Sequence, residues 1–435
     1  MSHRLARMAT QLVRGNPTTE IIDPVRALAR ALLYFGLFFS SQLVLRVDAI
    51  TVGDLLLLLS CAGAIISSAL RADKPAPSAL SKIATTVLTC LIVIGGALST
   101  VSAIQPDGSL AVVGRILFLV LVLPWLARVL LESREHLAAA TAWTAAGAAF
   151  AASGTLLQYV FGPNIIPGSE VTQAGRFTGW TGHVSDLGGI GALGVAIGIG
   201  FVISGRLVHR AWGILAVTLA AVGLVLSGSV SGMLAAGVAL LIYLIRGALR
   251  IRYVLLIGVL MAAIYSVSSI VQSNTTGALN PVDRLLQTLG ITEQGRYSTT
   301  ESRFETTDAA FASIAKHPFV GVGLDPISSI ADGEFPVHNL VIGALFQGGL
   351  LLAIGITAFA VRPLLGRWLR DDPSLLTTQL LATAVAAFVF AMTAPSLYNR
   401  YFWIPIALLC VARARHAVTG QPRVRTESSL LLETG

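Results

Sequence analysis

Long apolar stretches separated by short polar turns make up most of the chain. About twelve of them approach or reach the roughly 17–25 residues that an α-helix needs to cross the hydrocarbon core of a membrane. They lie at Ala29–Leu45, Ile50–Leu70, Ile83–Ile104, Leu110–Leu131, Leu137–Phe161, His183–Ser204, Ala211–Ser227, Val230–Ile245, Tyr253–Val271, His338–Val361, Leu375–Ala394 and Tyr401–Ala412. The pattern predicts an all-α polytopic membrane protein with about twelve transmembrane helices.

One long polar segment, Asn274 to Val337, interrupts this pattern between the ninth and tenth spans. Arg303 to Lys316 has an imperfect helical periodicity, and His317-Pro318 predicts the end of that helix. The glycines of Gly321-Val322-Gly323 predict a tight turn back towards the membrane. The predicted division is an N-terminal segment at 1–28, spans 1–9 at 29–271, a loop with short helices at 272–337, spans 10–12 at 338–415 and a tail at 416–435.

Composition and charge support a membrane protein and exclude a soluble one. Only 12% of the residues are charged, against about 25% in soluble domains, and 54% are hydrophobic. The net charge of +8 comes largely from arginines in alternate short loops, which indicates topology rather than a nucleic-acid partner. We therefore expect a multi-pass protein of the cytoplasmic (inner) membrane, with both termini cytoplasmic and the long loop on the outer face.

His338 is the candidate catalytic residue. It opens the tenth apolar span at the predicted outer surface, where the head group of a lipid-linked substrate would lie. A neutral imidazole there could accept a proton from a sugar hydroxyl, as a general base does. The alternative is an interfacial histidine that caps or anchors the helix.

Arginines on the predicted outer face form a second group of candidates. Their guanidinium groups match phosphate oxygens and could bind a diphosphate without a metal. The candidates are Arg176, Arg303, Arg296 and Arg115, with Arg284, Lys316 and Arg400 as outer members. The alternative for the loop residues is a solvated charge or a contact with anionic lipid. Arg115, inside the fourth span, could instead extend its side chain to the interface.

Other chemistries find little support in the sequence. There is no Walker A loop, HExxH, GxSxG or paired Cys/His set, so we expect no metal and no cofactor. Gly182-His183-Val184-Ser185-Asp186 is interpreted as a polar helix start, capped by Ser185 or Asp186. A transporter would be expected to show charges at mid-membrane and matched halves, whereas polarity here gathers at the outer surface.

Three ordered motifs resemble the O-antigen ligase and polysaccharide polymerase superfamily of membrane glycosyltransferases. The first comprises Ser302-Arg303, a helix through Ala309-Ala310-Phe311, His317-Pro318-Phe319-Val320-Gly321-Val322-Gly323, and His338-Asn339-Leu340 leading into Gly348-Gly349-Leu350. The second is Gly175-Arg176-Phe177-Thr178-Gly179-Trp180-Thr181-Gly182-His183, and the third is Leu226-Ser227-Gly228-Ser229. The resemblance covers the central and C-terminal two-thirds of the chain.

The resemblance implies an inverting, metal-independent transfer on the outer face of the membrane. The donor would be a glycan on a polyprenyl diphosphate, and the acceptor a hydroxyl of a glycan, lipid or protein. His338 would be the base, while Arg176 and Arg303 would bind the diphosphate leaving group. Ligation and polymerisation both remain open, and a transporter or flippase of lipid-linked glycans is the competing hypothesis.

Overall fold

The computed structural model describes most of the chain. The described residues are 17–47, 50–69, 79–172, 175–204, 207–253, 255, 258–259, 262–263, 266, 300–331, 335–366 and 372–419, a few at helix and strand ends by backbone alone. Their helices are α1 (Pro17–Phe39), α2 (Val52–Ala69), α3 (Ala79–Ser102), α4 (Pro106–Leu117), α5 (Leu123–Leu130), α6 (Arg134–Phe161), α7 (Val184–Ile203), α8 (Leu207–Ser227), α9 (Val230–Ile245), α10 (Thr300–Lys316), α11 (Leu340–Val361), α12 (Leu375–Ala391) and α13 (Arg400–Thr419). Two antiparallel pairs of two-residue strands accompany them, β1 (Arg46–Val47) with β2 (Ile50–Thr51) and β3 (Ile330–Ala331) with β4 (Phe335–Pro336).

Six helices of the described part are long and apolar enough to cross a membrane. They are Val52–Ala69, Ile83–Ser102, Pro106–Leu130, Val184–Ile203, Leu207–Ser227 and Leu340–Leu364. Val230–Ile245 and Leu375–Ala391 are shorter apolar helices. The expectation of an all-α polytopic membrane protein is met at this level, while the count of about twelve spans stays a prediction. Most of the ninth predicted span, Tyr253–Val271, lies outside the described residues.

Local signals fix some helix ends as predicted and shift others. α9 spans Val230–Ile245 as predicted, because Gly228 takes a φ of +58° before it and the Ser229 side chain accepts a hydrogen bond from Gly232 N. The first span differs, since α1 begins at Pro17 and ends at Phe39 instead of Leu45. Ser40 Oγ donates to Gly36 O at 2.6 Å, and the chain then turns into the short strand β1.

α7 is the central helix of the bundle. Inside the structure, 83% of this span is buried, against α6, α8, α9 and α12. Its glycines allow the close approach, because a Cβ at Gly188 would collide with Ser229 and one at Gly198 would come within 2.6 Å of Val217. Small residues at such contacts are typical of helix packing in membranes.

A π-helical turn at Phe118–Val122 joins α4 to α5 within one continuous span. Pro124 has no N–H to continue the α-helical ladder, and its ring would clash one turn back. The extra residue of the π turn accommodates this, with Leu123 N donating to Phe118 O. The turn follows directly after the helix that carries Arg115.

Several helices begin at the same end of the bundle, here called the upper end, where α2, α4, α7, α9, α11 and α13 start. Side chains connect these starts. Tyr401 of α13 bonds to Asp186 of α7, and Arg400 pairs with Asp54 of α2. α9 and α11 both begin where α12 ends, since Ser231 Oγ donates to Thr393 O at 3.5 Å and Asn339 Nδ2 donates to Met392 O at 3.0 Å.

The described part of the long polar segment packs against α11. α10 contacts it through Ala310, Val337 and Phe346, and ends at Lys316 as the His317-Pro318 signal predicts. Residues 317–323 then lie along a kink of α11: Val322 N donates to Phe346 O at 3.0 Å, and Leu350 N donates to Pro318 O at 2.9 Å. Gly321 and Gly349 both have a φ of +68°, so the predicted tight turn is confirmed.

Candidate active site

His338 lies at the upper end, directly before α11, but it does not cap that helix. The cap is Asn339, whose Oδ1 accepts hydrogen bonds from Val341 N at 2.9 Å and Ile342 N at 3.0 Å. The Asn339 amide also donates to Met392 O. Because its neighbour satisfies the helix start, the capping alternative does not account for His338.

Nδ1 of His338 is buried and has no hydrogen-bond partner among the described side chains. The pKa of the ring is lowered to about 4, chiefly by burial and further by the positive charge of Arg303, with a smaller contribution from His183. The backbone of Pro336 acts in the opposite direction. The imidazole is therefore neutral at pH 7 and has a lone pair for a proton.

Arg303 is the cation with the largest effect on the pKa of His338. It lies in the first turn of α10, partly buried, and burial lowers the pKa of its guanidinium. No ion pair to Arg303 forms among the described side chains. A desolvated guanidinium without a carboxylate partner is a strong anion-binding group.

Arg176 is held at the turn between α8 and α9. Its Nε donates to Ser227 O at 2.7 Å, and a Cβ added at Gly228 would lie 3.3 Å from the same nitrogen. The second and third sequence motifs therefore meet in space, because the Arg176 segment supports the Ser227-Gly228-Ser229 turn. Arg176 lies at the upper end but does not line the cavity described next.

A cavity of about 420 Å³ opens at the upper end among β1, β2, α4, α7 and α13. Its polar lining comprises Arg46, Thr51, Arg115, Thr181, His183, Asp186, Tyr398, Asn399, Arg400 and Tyr401. The volume falls within the roughly 300–1,000 Å³ of small-ligand sites. His183 is part of this lining and also contributes to the lowered pKa of His338.

Asp54 organises two arginines of the cavity. Its carboxylate pairs with Arg400, whose side chain is 7% exposed, and lies 3.9 Å from Arg115 Nη2. Thr51 N and Thr51 Oγ1 each donate to Asp54 Oδ2 at 3.0 Å and fix the carboxylate. Arg115 therefore points into a polar cavity with a partner, as expected for a charge placed inside a span.

The start of α7 differs from the sequence expectation. The cap is His183, whose Nδ1 accepts from Ser185 N at 3.2 Å, and not Ser185 or Asp186. Asp186 instead accepts a hydrogen bond from the Tyr401 hydroxyl at 2.8 Å, and Asn399 Nδ2 donates to that hydroxyl at 2.9 Å. The contact with α13 engages the Asp186 side chain, which leaves the cap to His183.

A family comparison covers the part of the site around Arg303 and His338. Residues 214–357 match the family model described as O-Antigen ligase. This match supports the O-antigen ligase-like superfamily for this part of the chain, about a third of its length. The resemblance seen in the motifs is thereby confirmed, and the matched O-antigen ligase region contains Arg303 and His338. No curated protein matches the chain.

The O-antigen ligase match and the sequence motifs do not cover the whole site. Asp54 and the cavity residues Arg115, His183 and Arg400 lie outside the matched region. The role of Asp54 was missed from sequence, although an acid in the first turn of an otherwise apolar helix is a signal. The predicted diphosphate ligand Arg296, like Arg284, lies outside the described residues.

Proposed function

We propose that the protein is an inverting, metal-independent glycosyltransferase of the outer face of the cytoplasmic membrane. It transfers a glycan from a polyprenyl diphosphate to an acceptor hydroxyl, in ligation or in polymerisation of a cell-surface polysaccharide. The observation that carries the proposal is a neutral histidine, His338, whose pKa is lowered by a nearby cation, Arg303, with no carboxylate partner among the described side chains; both lie within the O-antigen ligase region.

The reaction assigns one role to each group. The acceptor oxygen attacks the anomeric carbon, a new C–O bond forms, and the bond from that carbon to the diphosphate breaks with its electron pair leaving on the diphosphate. Nε2 of His338 takes the acceptor proton. Arg303, together with Arg176 at the α8–α9 turn, stabilises the charge that grows on the leaving group. Attack opposite to the leaving group inverts the anomeric centre.

Electrostatics at the upper end support an anionic donor. Six described helices begin there, and helix starts carry partial positive charge. The lower end holds more arginines, which favours a cytoplasmic position for that end. Its described arginines are Arg26, Arg30, Arg128, Arg134, Arg210, Arg246, Arg250, Arg252, Arg362, Arg413 and Arg415. α9 and α11 both begin at the upper end. The chain must therefore cross back once between them, as the predicted ninth span would do.

The test is transfer by purified full-length protein in nanodiscs, with a synthetic polyprenyl-diphosphate oligosaccharide and EDTA. We expect product from wild type and a loss of at least about a hundredfold in kcat for His338→Ala, the range of general-base catalysis. His209→Ala, at the lower start of α8, is the matched control. Normal product from His338→Ala would reject the mechanism, and lipid movement without product would favour a flippase.

A further inference from the structure

We propose that the cavity among β1, β2, α4, α7 and α13 binds a phosphate ester, at a site separate from the diphosphate site assigned to Arg303. Neither Arg303 nor Arg176 lines this cavity. The inference rests on the charges and hydrogen-bonding groups of the lining alone, so it holds whether or not the protein transfers a glycan.

Positive charge is in excess in the lining. Three guanidinium groups, those of Arg46, Arg115 and Arg400, line the cavity together with a single carboxylate, Asp186. Asp54 lies outside the lining and pairs with both Arg400 and Arg115. One carboxylate cannot neutralise two guanidinium groups, so a positive excess remains even when Asp54 is counted. The cavity therefore attracts an anion.

The guanidinium groups of the lining also keep N–H donors for a ligand. Each arginine has five N–H donors and no acceptor. Among the described residues, Arg400 pairs with Asp54 through Nη1, while its Nε is buried without a hydrogen-bond partner. The Arg46 side chain forms no hydrogen bond or ion pair within the described part of the chain.

The acceptor side of the lining is largely occupied. Its single carboxylate, Asp186, already accepts a hydrogen bond from the Tyr401 hydroxyl at 2.8 Å. A sugar hydroxyl must donate as well as accept, whereas a phosphate ester in its ionised form only accepts. A lining rich in donor-only groups therefore fits a phosphate better than a neutral sugar.

The placement of two of the arginines suits a phosphate group. Arg115 and Arg400 reach the same carboxylate, with Arg115 Nη2 at 3.9 Å from Asp54 Oδ2 and Arg400 paired with Oδ1. Their guanidinium groups are therefore neighbours, and neighbouring guanidinium groups can share the several oxygens of one phosphate. The volume of about 420 Å³ also has room for the sugar or glycerol that carries the phosphate. A phosphorylated sugar and an anionic lipid head group both offer this chemistry.

Labelling of one cavity residue measures occupancy without any transfer. Val44 lines the cavity, so the rate of maleimide labelling of Val44→Cys reports a bound ligand. The rate is followed on its own peptide by mass spectrometry, with the full chain in phosphatidylcholine nanodiscs at pH 7. We expect glucose 6-phosphate to slow the labelling, and glucose at the same concentration to leave the rate unchanged.

Charge variants in the Val44→Cys background test whether the guanidinium groups bind the phosphate. Arg46→Gln removes a cation that has no side-chain partner, and we expect the half-protecting concentration of glucose 6-phosphate to rise about three- to tenfold, the effect of one lost hydrogen bond. Arg46→Lys keeps the charge and should restore most of the protection, while Arg115→Gln should weaken it at least as much as Arg46→Gln. Arg210→Gln, exposed at the lower end, is the matched control and should have no effect.

Lipid composition distinguishes the two sources of the phosphate. Slower labelling in phosphatidylglycerol nanodiscs without any soluble ligand assigns the site to a lipid head group, and protection by glucose 6-phosphate alone assigns it to a phosphorylated sugar. Protection by neither probe would overturn the proposal, as would equal protection by glucose. Protection that Arg303→Gln abolishes would also overturn it, because the phosphate would then lie at the donor site.

Discussion

Arg303 sets part of the proton affinity of His338, and removing its charge should be measurable. The pKa of His338 is about 4, against 6.5 for a free histidine, and burial is the larger cause. Arg303→Gln removes the second cause while the ring stays buried. We expect the pKa to rise by less than half of the difference, about one unit. Arg303→Lys keeps the positive charge and should leave the pKa of His338 near its wild-type value.

The direction of the effect on activity follows from the role of the base. Only the neutral ring accepts a proton, so the activity of the free enzyme is lost as the pH falls through the pKa of His338. The acidic limb of kcat/KM should therefore lie near pH 4 in wild type and about one unit higher in Arg303→Gln. A bound diphosphate opposes the charge of Arg303, so the limb of kcat should lie above that of kcat/KM in wild type.

The assay can be made independent of turnover. Diethyl pyrocarbonate modifies neutral imidazole, so its rate at the His338 peptide, followed by mass spectrometry across pH, reports the same titration. Recovery of activity on return to pH 7 controls for acid unfolding. An Arg303→Gln midpoint equal to wild type, or below it, would refute the electrostatic coupling between the two residues.

Two further predictions concern the framework of the site. Gly321→Ala should destabilise the protein by about 2–4 kcal/mol, because its φ is +68° and a Cβ would collide with Gln347 O. The control Gly237→Ala has open space for the Cβ and should be neutral or stabilising. Thermal unfolding in nanodiscs measures both variants, and equal effects would contradict the docking of residues 317–323. Asn339→Ala should lower stability by about 1–2 kcal/mol through loss of the α11 cap, and Asn339→Asp should restore the cap and raise the pKa of His338 by adding a negative charge; an Asn339→Asp variant as unstable as Asn339→Ala would contradict the capping role.

The sequence predicts those parts of the fold that depend on local signals. The α8–α9 turn follows from Ser227-Gly228-Ser229, and the end of α10 follows from Pro318. The predicted end of the first helix, Leu45, is too late because the sequence stays apolar past Phe39. The hydrogen bonds formed directly after the helix include one from Gln42 Nε2 to Gly147 O. A hydrophobic pattern carries no information about such a distant partner.

The candidate site was predictable where one residue carries the chemistry and hidden where partners are remote. His338 stands at a helix start after a polar loop, which is visible in the sequence. Asp54 and Arg400 lie at opposite ends of the chain, and only the bundle brings them together. His183 caps α7 in place of the predicted Ser185 or Asp186, and Tyr401 of α13 engages the Asp186 carboxylate.

Cations at the upper end are best distinguished by their partners and not by their number. Positive residues on a translocated face run against the topological bias, so each needs a reason to be there. Arg400 and Arg115 face Asp54, and Arg176 donates to a backbone carbonyl of the α8–α9 turn. Arg303 has no such carboxylate among the described side chains, and it is the one that acts on the base. A count of arginines would therefore overestimate the charge available to a diphosphate, because a guanidinium that already pairs with a carboxylate contributes less to binding a second anion.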